Sequence, residues 1–423
     1  MPVIKAIQAR EILDCRGVPT IEANLWLDNG ISVTTAVPTS IYTGKHEAME
    51  LRDGDPLRYA GLGVIKAVNL INTTIAQHLI GRDPSQQGDI DRLLIQLDGT
   101  PDKHQFGANT MLAVSQAVCK AGAAMYHLPV YAYLAHKYRL VYGALTIPTP
   151  AFNVINGGKH GAGNLDFQEF LLVPSSRFRF DQGLQIGVEI FYELERQLIN
   201  KNAIHSVGVE GGFAPNLFTN LDALEIIIQT IQNTNHQYGH DVFLGLDVAA
   251  STFQKGSKYA IKDRSQPFSG KEFVSYYQDL NDDYHIFSLE DPFGDDDWRS
   301  WIDLTMEMGQ KVLIIGDDLI TSNKERLIKA IRDKACTAVL VKPNQIGTIT
   351  ESVEVVKIAK DAHFTVMASC RSGETTDTFI ADFAVGVGAE YAKFGAPSRG
   401  ERIIKYNRLL RIEAELNPQT QGA

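Results

Sequence analysis

The chain has 423 residues, 44% hydrophobic and 21% charged, a composition typical of globular proteins. This length allows a barrel of about 250 residues and a second domain. The net charge of −10 argues against a nucleic-acid partner, but an anionic small molecule can still bind where Lys and Arg cluster in a cleft. The sequence has no apolar run long enough to cross a bilayer and no signal-peptide pattern, so we expect a cytoplasmic protein without a membrane partner.

The first part of the chain predicts a strand meander followed by helices. Strand patterns at residues 20–27 and 31–37 flank Asp28-Asn29-Gly30, and Asn-Gly between alternating apolar residues indicates a β-hairpin. Helical patterns follow at residues 63–80, 90–97, 108–126 and 129–138. We therefore predict an N-terminal α+β domain over residues 1–141.

A change of composition near Tyr142 marks the predicted start of a catalytic β/α barrel, which covers residues 142–423. Its first two strands, residues 152–155 and 169–173, are linked by a Gly-rich turn at residues 156–161. Because this link is too short for a crossover helix, we expect the two strands to be antiparallel. Six βα units are predicted to follow, so the fold class is α/β, with a (β/α)8-type barrel.

Three strand patterns in the barrel end in acidic side chains, Asp247, Glu290 and Asp317. In a closed parallel barrel, the C-terminal ends of the strands gather around one mouth. Carboxylates that lie so close together resist ionisation unless a cation lies between them, and oxygen ligands of this kind suit Mg²⁺. The alternative is that these acids only cap the helices that follow them.

The later strand patterns are followed by basic side chains, Lys342, Arg371 and Lys393. Together with the acids, they predict a polyanionic ligand held by a metal ion and by cationic side chains. Either lysine can be the base that removes an α-proton, because neighbouring positive charge lowers the pKa of a lysine. Arg371 and Ser372 precede a helix predicted to start near Thr375, a place where barrel enzymes often bind phosphate.

Two acidic residues are candidates for the acid that assists the loss of a hydroxyl group. Glu210 lies on a loop where Gly211 and Gly212 allow close approach of the backbone, and Glu169 is the second candidate. His160, in the Gly-rich turn, is equally open to a structural and to a catalytic interpretation.

Eight ordered motifs resemble those of the enolase family along nearly the whole chain. They are Ala9-Arg10-Glu11-Ile12-Leu13-Asp14-x-Arg16-Gly17, Asn156-Gly157-Gly158, Gln168-Glu169-Phe170, Glu210-Gly211-Gly212, Glu290-Asp291-Pro292-Phe293, Gly316-Asp317-Asp318-Leu319, Lys342-x-Asn344-Gln345-Ile346-Gly347 and Arg371-Ser372-Gly373-Glu374-Thr375. Chance agreement of so many motifs in order is negligible. The resemblance implies a Mg²⁺-dependent lyase, a phosphopyruvate hydratase of glycolysis that forms a homodimer.

The resemblance also implies a role for each candidate site residue. It implies that Asp247, Glu290 and Asp317 bind the first metal, that Lys342 is the base, and that Glu210 is the acid, supported by Glu169. It further implies that Lys393 binds the substrate carboxylate and that Arg371 and Ser372 bind the phosphate. His160 would lie on a loop that closes over the site. We include Gln168 and Cys370 among the substrate-binding residues because they lie within or beside these motifs, and Tyr42 because its phenol can hydrogen-bond a phosphate oxygen.

Four departures from the family pattern fall at the predicted mouth of the site. The family's Ser-Gly-Ala-Ser-Thr-Gly loop, which by itself is either a connector or a lid, is replaced by Thr39-Ser40-Ile41-Tyr42-Thr43-Gly44. The serine that binds a second Mg²⁺ aligns with Tyr42, and because a protonated phenol is a poor ligand, we expect that site to bind weakly. The family's His before Arg-Ser-Gly-Glu is Cys370, its Asp before Glu-Gly-Gly is Val209, and its small residue before the loop His is Lys159.

The sequence leaves three functional hypotheses. The first is dehydration of 2-phosphoglycerate to phosphoenolpyruvate, and the second is an enolase paralogue that acts on a different phospho- or phosphono-carboxylate. The third is a protein of weak activity that is kept for binding or for structure. The presence of Lys342, Glu210 and the predicted metal ligands argues against the third.

Overall fold

The computed structural model describes residues 1–40 and 43–417. The chain begins with an antiparallel sheet of three strands in the order β1 (Ile4–Leu13), β2 (Pro19–Leu27) and β3 (Ser32–Ala36). The predicted hairpin between the second and third strands is confirmed. Gly30 takes φ +90°, and its N–H donates to the carbonyl oxygen of Leu27 at 3.2 Å, which explains why this turn contains glycine.

Helices pack against this sheet, as the sequence predicts. They are α1 (Ile65–Leu70), α2 (Ala76–Leu79), α3 (Gln87–Asp98), α4 (Ala108–Met125) and α5 (Val130–Tyr138), and a π-helical turn at Ile71–Ile75 joins the first two. Helix α4 lies between the sheet and the barrel, and it is buried on nearly all sides. This position explains why its small apolar residues do not form a single stripe.

The barrel is one large sheet with short strands. Its strands and those of a small neighbouring sheet are β4 (Thr149–Pro150), β5 (Phe152–Asn156), β6 (Glu169–Pro174), β7 (Val242–Asp247), β8 (Gln254–Lys255), β9 (Lys258–Tyr259), β10 (Phe268–Ser269), β11 (Ser288–Glu290), β12 (Leu313–Gly316), β13 (Ala338–Val341), β14 (Thr365–Ser369) and β15 (Tyr391–Lys393). The order in the large sheet is β4-β15-β14-β13-β12-β11-β7-β6-β5. Only Ala151 separates β4 from β5, and its N–H donates to Ala392 at 2.9 Å, so residues 149–156 bring the two edges of the sheet together.

The direction of β6 decides which residues reach the mouth of the barrel. As predicted, β6 runs antiparallel to β5, and it also runs antiparallel to β7, whereas the other neighbours in the barrel are parallel. The start of β6 therefore lies beside the ends of β5 and β7. The register places Glu169 next to Asn156 on one side and next to Asp247 on the other.

Helices surround the barrel. They are α6 (Phe180–Asn200), α7 (Asn220–Gln232), α8 (Gly270–Tyr284), α9 (Trp298–Met308), α10 (Lys324–Asp333), α11 (Pro343–Ile346), α12 (Ile349–Asp361), α13 (Phe379–Gly386) and α14 (Gly400–Leu416). The segment 253–270 contains the sheet of β8, β9 and β10, whose two-residue strands are too short to show an alternating pattern in the sequence. Within the described residues, no helix is long and apolar enough to cross a lipid bilayer.

The helix predicted to start near Thr375 begins only at Phe379, so that prediction is wrong. Asp377 keeps the preceding segment non-helical, because one oxygen accepts the N–H of Phe379 at 2.8 Å and the other accepts the N–H of Ala36 at 2.9 Å. The segment is thus tied to the N-terminal sheet. The predicted division of the chain near Tyr142 falls among residues without helix or strand, and it stays a prediction.

Candidate active site

A cavity at the mouth of the barrel brings together most of the residues singled out from the sequence. Eleven of them line it: Lys342, Glu210, Glu169, His160, Arg371, Ser372, Lys393, Gln168, Cys370, Asp247 and Asp317. Glu290 is fully buried and contacts Lys393, which itself lines the cavity. Tyr42 lies outside the described residues.

The strand register explains how three carboxylates meet around one ammonium group. Glu169, Asp247 and Glu290 lie at the same level on the adjacent strands β6, β7 and β11. The Nζ atom of Lys393 lies 3.0 Å from Glu169 Oε2, 3.1 Å from Asp247 Oδ2 and 2.8 Å from Glu290 Oε2. This arrangement places three acidic groups against a single positive charge.

The excess of negative charge around Lys393 is visible in the pKa shifts. Burial and the neighbouring Asp247 raise the pKa of Glu290 well above its usual value. Burial would lower the pKa of Lys393, but Asp247 and Glu169 raise it instead. In addition, Asp247 Oδ1 is buried and has no hydrogen-bond partner among the described residues. A buried carboxylate oxygen in such a group is a suitable ligand for Mg²⁺, so the donor set fits this ion.

Asp317 contacts the other lysine of the mouth, and its charge also raises the pKa of Glu290. Lys342 Nζ donates to Asp317 Oδ2, and Gln345 Nε2 donates to Asp317 Oδ1 at 2.8 Å. Burial would raise the pKa of Asp317, but Lys342 holds it below the usual value. Conversely, burial would lower the pKa of Lys342, and Asp317 raises it. The neighbouring cations Arg371 and Lys393 lower this pKa, as expected, but the contact with Asp317 outweighs them and the pKa of Lys342 is raised.

Among the residues that the structure describes, two groups of side chains bring metal-ligating atoms within 4.8 Å of one another. They are His160 with Glu169 and Glu210, and Asp291 with Asp317 and Asp318. Asp317 thus belongs to the second group, whereas Asp247 and Glu290 lie around Lys393. Groups of this kind can hold a metal ion. Neither Asp291 nor Asp318 was assigned a role in the sequence analysis, although both lie in the quoted motifs.

The Gly-rich turn places His160 beside the two candidate acids. A side chain at Gly157 would lie 2.2 Å from the carbonyl oxygen of Phe167, so only glycine fits there. His160 Nδ1 lies 3.0 Å from Glu169 Oε1 and 3.9 Å from Glu210 Oε1. Burial would lower the pKa of His160, but the two carboxylates raise it, which favours the imidazolium form.

The two candidate acids differ in their electrostatic surroundings. Burial disfavours ionisation of Glu210, but Arg402 and His160 outweigh it and lower the pKa of Glu210 to about 2. Burial raises the pKa of Glu169, although Lys393 opposes this effect. Of the two carboxyl groups, Glu169 is therefore the one that retains a proton more readily.

Arg371 is held by residues that the sequence did not single out. Its Nη1 lies 2.7 Å from Glu47 Oε2 and 3.1 Å from Asn344 Oδ1, and its Nη2 lies 3.1 Å from Glu47 Oε1. Only 5% of the Arg371 side chain and 3% of the Glu47 side chain are exposed. Asn344 is part of a recognised motif, but no sequence pattern connects Glu47, more than 300 positions away, with this arginine.

Arg402, on α14, fixes the backbone that carries the phosphate-binding candidates. Its Nη1 donates to Cys370 Sγ at 2.9 Å and to the Arg371 carbonyl at 2.7 Å, and its Nη2 donates to the Ser372 carbonyl at 2.6 Å. Burial raises the pKa of the Cys370 thiol to about 12, so this side chain is neutral. The sequence did not indicate Arg402, because a charged residue on an outer helix usually faces solvent.

The fold and the cavity together define a β/α-barrel enzyme with carboxylates and basic side chains at the mouth of the barrel. Comparison with family models identifies the family of this enzyme. The enolase C-terminal TIM barrel domain matches residues 144–423, and the enolase N-terminal domain matches residues 4–134. The chain therefore belongs to the enolase family, as its motifs indicate, and it is a lyase-type enzyme of the enolase superfamily.

Proposed function

We propose that this protein removes the proton α to the carboxylate of a phosphorylated acid and expels hydroxide from the adjacent carbon. The resemblance to enolases names the reaction as the reversible dehydration of 2-phosphoglycerate to phosphoenolpyruvate. The observation that carries the proposal is that Lys342 and the cluster of His160, Glu169 and Glu210 line one cavity. A base and a proton donor on different elements are what an elimination needs.

Arg371 and Ser372 are proposed to hold the phosphoryl group, and Lys393 the carboxylate. Arg371 presents a planar guanidinium, which suits bidentate contact with phosphoryl oxygens. When Mg²⁺ is bound by the strand-end carboxylates, it supplies positive charge that stabilises the substrate carboxylate as the α-proton leaves. These side chains fix the substrate so that its α-carbon faces the base.

Lys342 is proposed as the base. It must be neutral to accept the α-proton, and its contact with Asp317 is what raises its pKa. We infer that Lys342 releases Asp317 before it acts. Arg371 and Lys393 then remain as neighbouring cations, and both lower the pKa of Lys342.

The cluster of His160, Glu169 and Glu210 is proposed to protonate the leaving hydroxide. As the α-proton moves to Lys342, the electron pair of the C–H bond forms the new double bond and the C–O bond breaks. The hydroxide takes a proton from the cluster and leaves as water. Because Arg402 and His160 lower the pKa of Glu210 to about 2, the proton is proposed to come from His160 or Glu169 through the contacts between them.

Two measurements on the wild-type protein test this proposal. With 2-phosphoglycerate and Mg²⁺, absorbance of the enol double bond should appear, and the α-proton should exchange with D₂O. Exchange of the α-proton without formation of the enol product would support the proposed base but would show that the substrate is another acid. Absence of both with 2-phosphoglycerate and with related phosphorylated acids would overturn the proposal.

A second candidate function is the same chemistry on a different phospho- or phosphono-carboxylate. The neutral Cys370 thiol, hydrogen-bonded to Arg402, favours it because enolases carry a histidine at this position beside Arg371. Turnover of another such acid, with little or none of 2-phosphoglycerate, would select this candidate. Family membership also supports the proposal of a cytoplasmic homodimer, and sedimentation analysis of the purified protein tests the dimer.

A further inference from the structure

Arg402 is a fully buried arginine in the first turn of α14 that contacts two parts of the candidate active site. On one side it donates to the Arg371 carbonyl at 2.7 Å and to the Ser372 carbonyl at 2.6 Å. On the other side its Nη2 donates to the Val209 carbonyl at 3.5 Å, directly before Glu210 in the chain. One guanidinium group therefore joins the phosphate-binding candidates to the loop that carries Glu210.

The positive charge of Arg402 has no close acidic partner among the residues that the structure describes. The one acid within ion-pair distance there is Glu401, whose Oε1 lies 3.8 Å from Arg402 Nε and 2.8 Å from Arg399 Nε. By contrast, the buried Arg371 contacts Glu47 at 2.7 Å. Burial of a charge without a close partner is unfavourable, and the start of a helix disfavours positive charge further. The stability of the fold alone therefore does not account for an arginine at this position.

The loop that carries Glu210 lies against the chain that leads into α14. The Ala396 N–H donates to the Glu210 carbonyl at 2.9 Å, and Arg399 Nη1 donates to the Gly208 carbonyl at 3.3 Å. Burial would raise the pKa of Glu210, but Arg402 is the strongest of the groups that lower it. Both the position and the charge of Glu210 thus depend on the start of α14.

We propose that Arg402 is a positioning residue that holds the phosphate-binding segment and the Glu210 loop at a fixed separation. Arg402 does not line the cavity, so it acts through Ser372 and Glu210, which do. The inference rests on the proposed function, which assigns the phosphoryl group to Ser372 and the departing hydroxide to the cluster that contains Glu210. The proposed substrate carries its phosphoryl group on the α-carbon and its hydroxyl on the next carbon. A fixed separation therefore places the hydroxyl against the proton donor once the phosphoryl group is bound.

The first test separates the hydrogen bonds and the charge of Arg402 from its bulk. Arg402→Met keeps much of the length of the side chain without any donor, and Arg402→Lys keeps the charge with an ammonium in place of the planar guanidinium. Arg408→Met is the matched control, because Arg408 lies on the same helix, pairs with Asp382 at 2.7 Å and does not line the cavity. Turnover of 2-phosphoglycerate, or of the phosphorylated acid whose α-proton the wild type exchanges, is measured with Mg²⁺ in the full-length protein. It is divided by the number of sites that bind inorganic phosphate in titration calorimetry, so that unfolded protein does not count.

We expect kcat per phosphate-binding site to fall by about tenfold or more in Arg402→Met, the scale of a small displacement of a catalytic group. Arg402→Lys should recover part of this loss, and Arg408→Met should retain the wild-type value. Wild-type kcat per site in Arg402→Met would show that the side chain only fills space, and would overturn the inference. An equal loss in Arg408→Met would overturn it as well, because the effect would then belong to the helix and not to Arg402.

Because substitution of a buried residue can prevent folding, the wild type supplies an independent test. If one guanidinium joins the two segments, inorganic phosphate bound at residues 370–374 should slow amide hydrogen exchange at residues 207–212 as well. Both segments are followed by mass spectrometry in the full-length protein with Mg²⁺. Residues 234–240 are the internal control, because they precede β7 at the end opposite to the mouth of the barrel. Protection confined to residues 370–374 would overturn the inference.

Failure of this inference can be distinguished from failure of the proposed function, because the mass-spectrometric experiment needs no turnover. If phosphate protects residues 207–212 but the wild type removes the α-proton of no phosphorylated acid, the proposed function fails and the link between the two segments stands. If the wild type turns over such an acid and Arg402→Met does so equally well, only the inference about Arg402 fails.

Discussion

At the scale of single residues, the barrel mouth holds two lysines whose neighbours differ in number. Lys393 is shared by three carboxylates, whereas Lys342 forms an ion pair with one acid of the described residues, Asp317, and lies near Arg371. Loss of one carboxylate contact therefore lowers the pKa of Lys342 far more than that of Lys393. This difference favours Lys342 over Lys393 as the base.

Replacement of Lys342 should abolish proton abstraction without loss of the fold. Lys342→Ala should reduce exchange of the substrate α-proton in D₂O by about 10²–10⁴-fold, the usual contribution of a positioned base. Lys342→Arg is the matched control for charge, because guanidinium keeps the positive charge but cannot release its proton. Both variants should have wild-type circular dichroism. Exchange at the wild-type rate in either variant would transfer the role of base to Lys393.

At the scale of elements, the loop that carries Glu210 is positioned by close backbone approach. A Cβ atom at Gly212 would lie 2.8 Å from the Asn153 carbonyl oxygen and 2.9 Å from Asn156 Oδ1. Both asparagines are on β5, the strand that precedes the Gly-rich turn. The position of Glu210 thus depends on the absence of a side chain two residues later.

Gly212→Ala should lower turnover by about tenfold or more, because a small displacement of a catalytic group has effects of this size. The loss should appear mainly in kcat, since the phosphate-binding candidates lie on other elements. Gly400→Ala is the matched control, because a Cβ atom at Gly400 meets nothing within 4 Å. Equal turnover in the two variants would show that the loop adapts to the added methyl group.

At the scale of the whole molecule, the N-terminal part and the barrel share buried polar contacts. Asp91 on α3 accepts the N–H of Thr350 at 3.0 Å and its hydroxyl at 2.5 Å, and it also contacts Gln87. Glu47 pairs with Arg371 at the cavity itself. The first contact holds the two parts together, and the second completes the site.

Asp91→Asn should change the pH dependence of stability. Burial raises the pKa of Asp91 above 3.8 in the native state, so the native protein binds this proton more tightly than the unfolded chain. The wild type therefore loses stability as pH rises from about the unfolded value toward the raised native value. The free energy of unfolding of Asp91→Asn, measured with urea, should improve relative to the wild type across that window. Asp282→Asn, at an exposed position, is the control, and parallel pH profiles for Asp91→Asn and wild type would contradict this account.

Glu47→Gln should make the Tm of the protein more sensitive to inorganic phosphate. Removing one charge of a buried ion pair leaves Arg371 uncompensated and should lower the free energy of unfolding by about 3–5 kcal/mol. Inorganic phosphate can then replace the lost charge, so it should raise the Tm of this variant more than that of the wild type. Asp382→Asn, which removes one charge of the largely buried pair with Arg408 away from the cavity, is the control. An equal phosphate effect in wild type and Glu47→Gln would show that phosphate does not meet Arg371.

Much of the fold followed from local patterns. Asn29-Gly30 specified a hairpin, and the short link between β5 and β6 specified an antiparallel pair, because chain length and turn geometry act over a few residues. The helix after Ser372 was misplaced for the converse reason. Its start at Phe379 depends on contacts of Asp377 with the N-terminal sheet, which no local pattern contains.

The sequence by itself determined the family, the barrel and most of the residues that line the mouth, because strand ends and motif order are properties of the chain. Only the tertiary structure decided which of those groups touch. It divided the predicted metal carboxylates between Lys393 and Lys342, raised the pKa of Lys342 through Asp317, and brought Glu47 and Arg402 to the phosphate-binding candidates. Charge interactions fall off with distance and depend on burial, and both quantities exist only once distant segments are packed together.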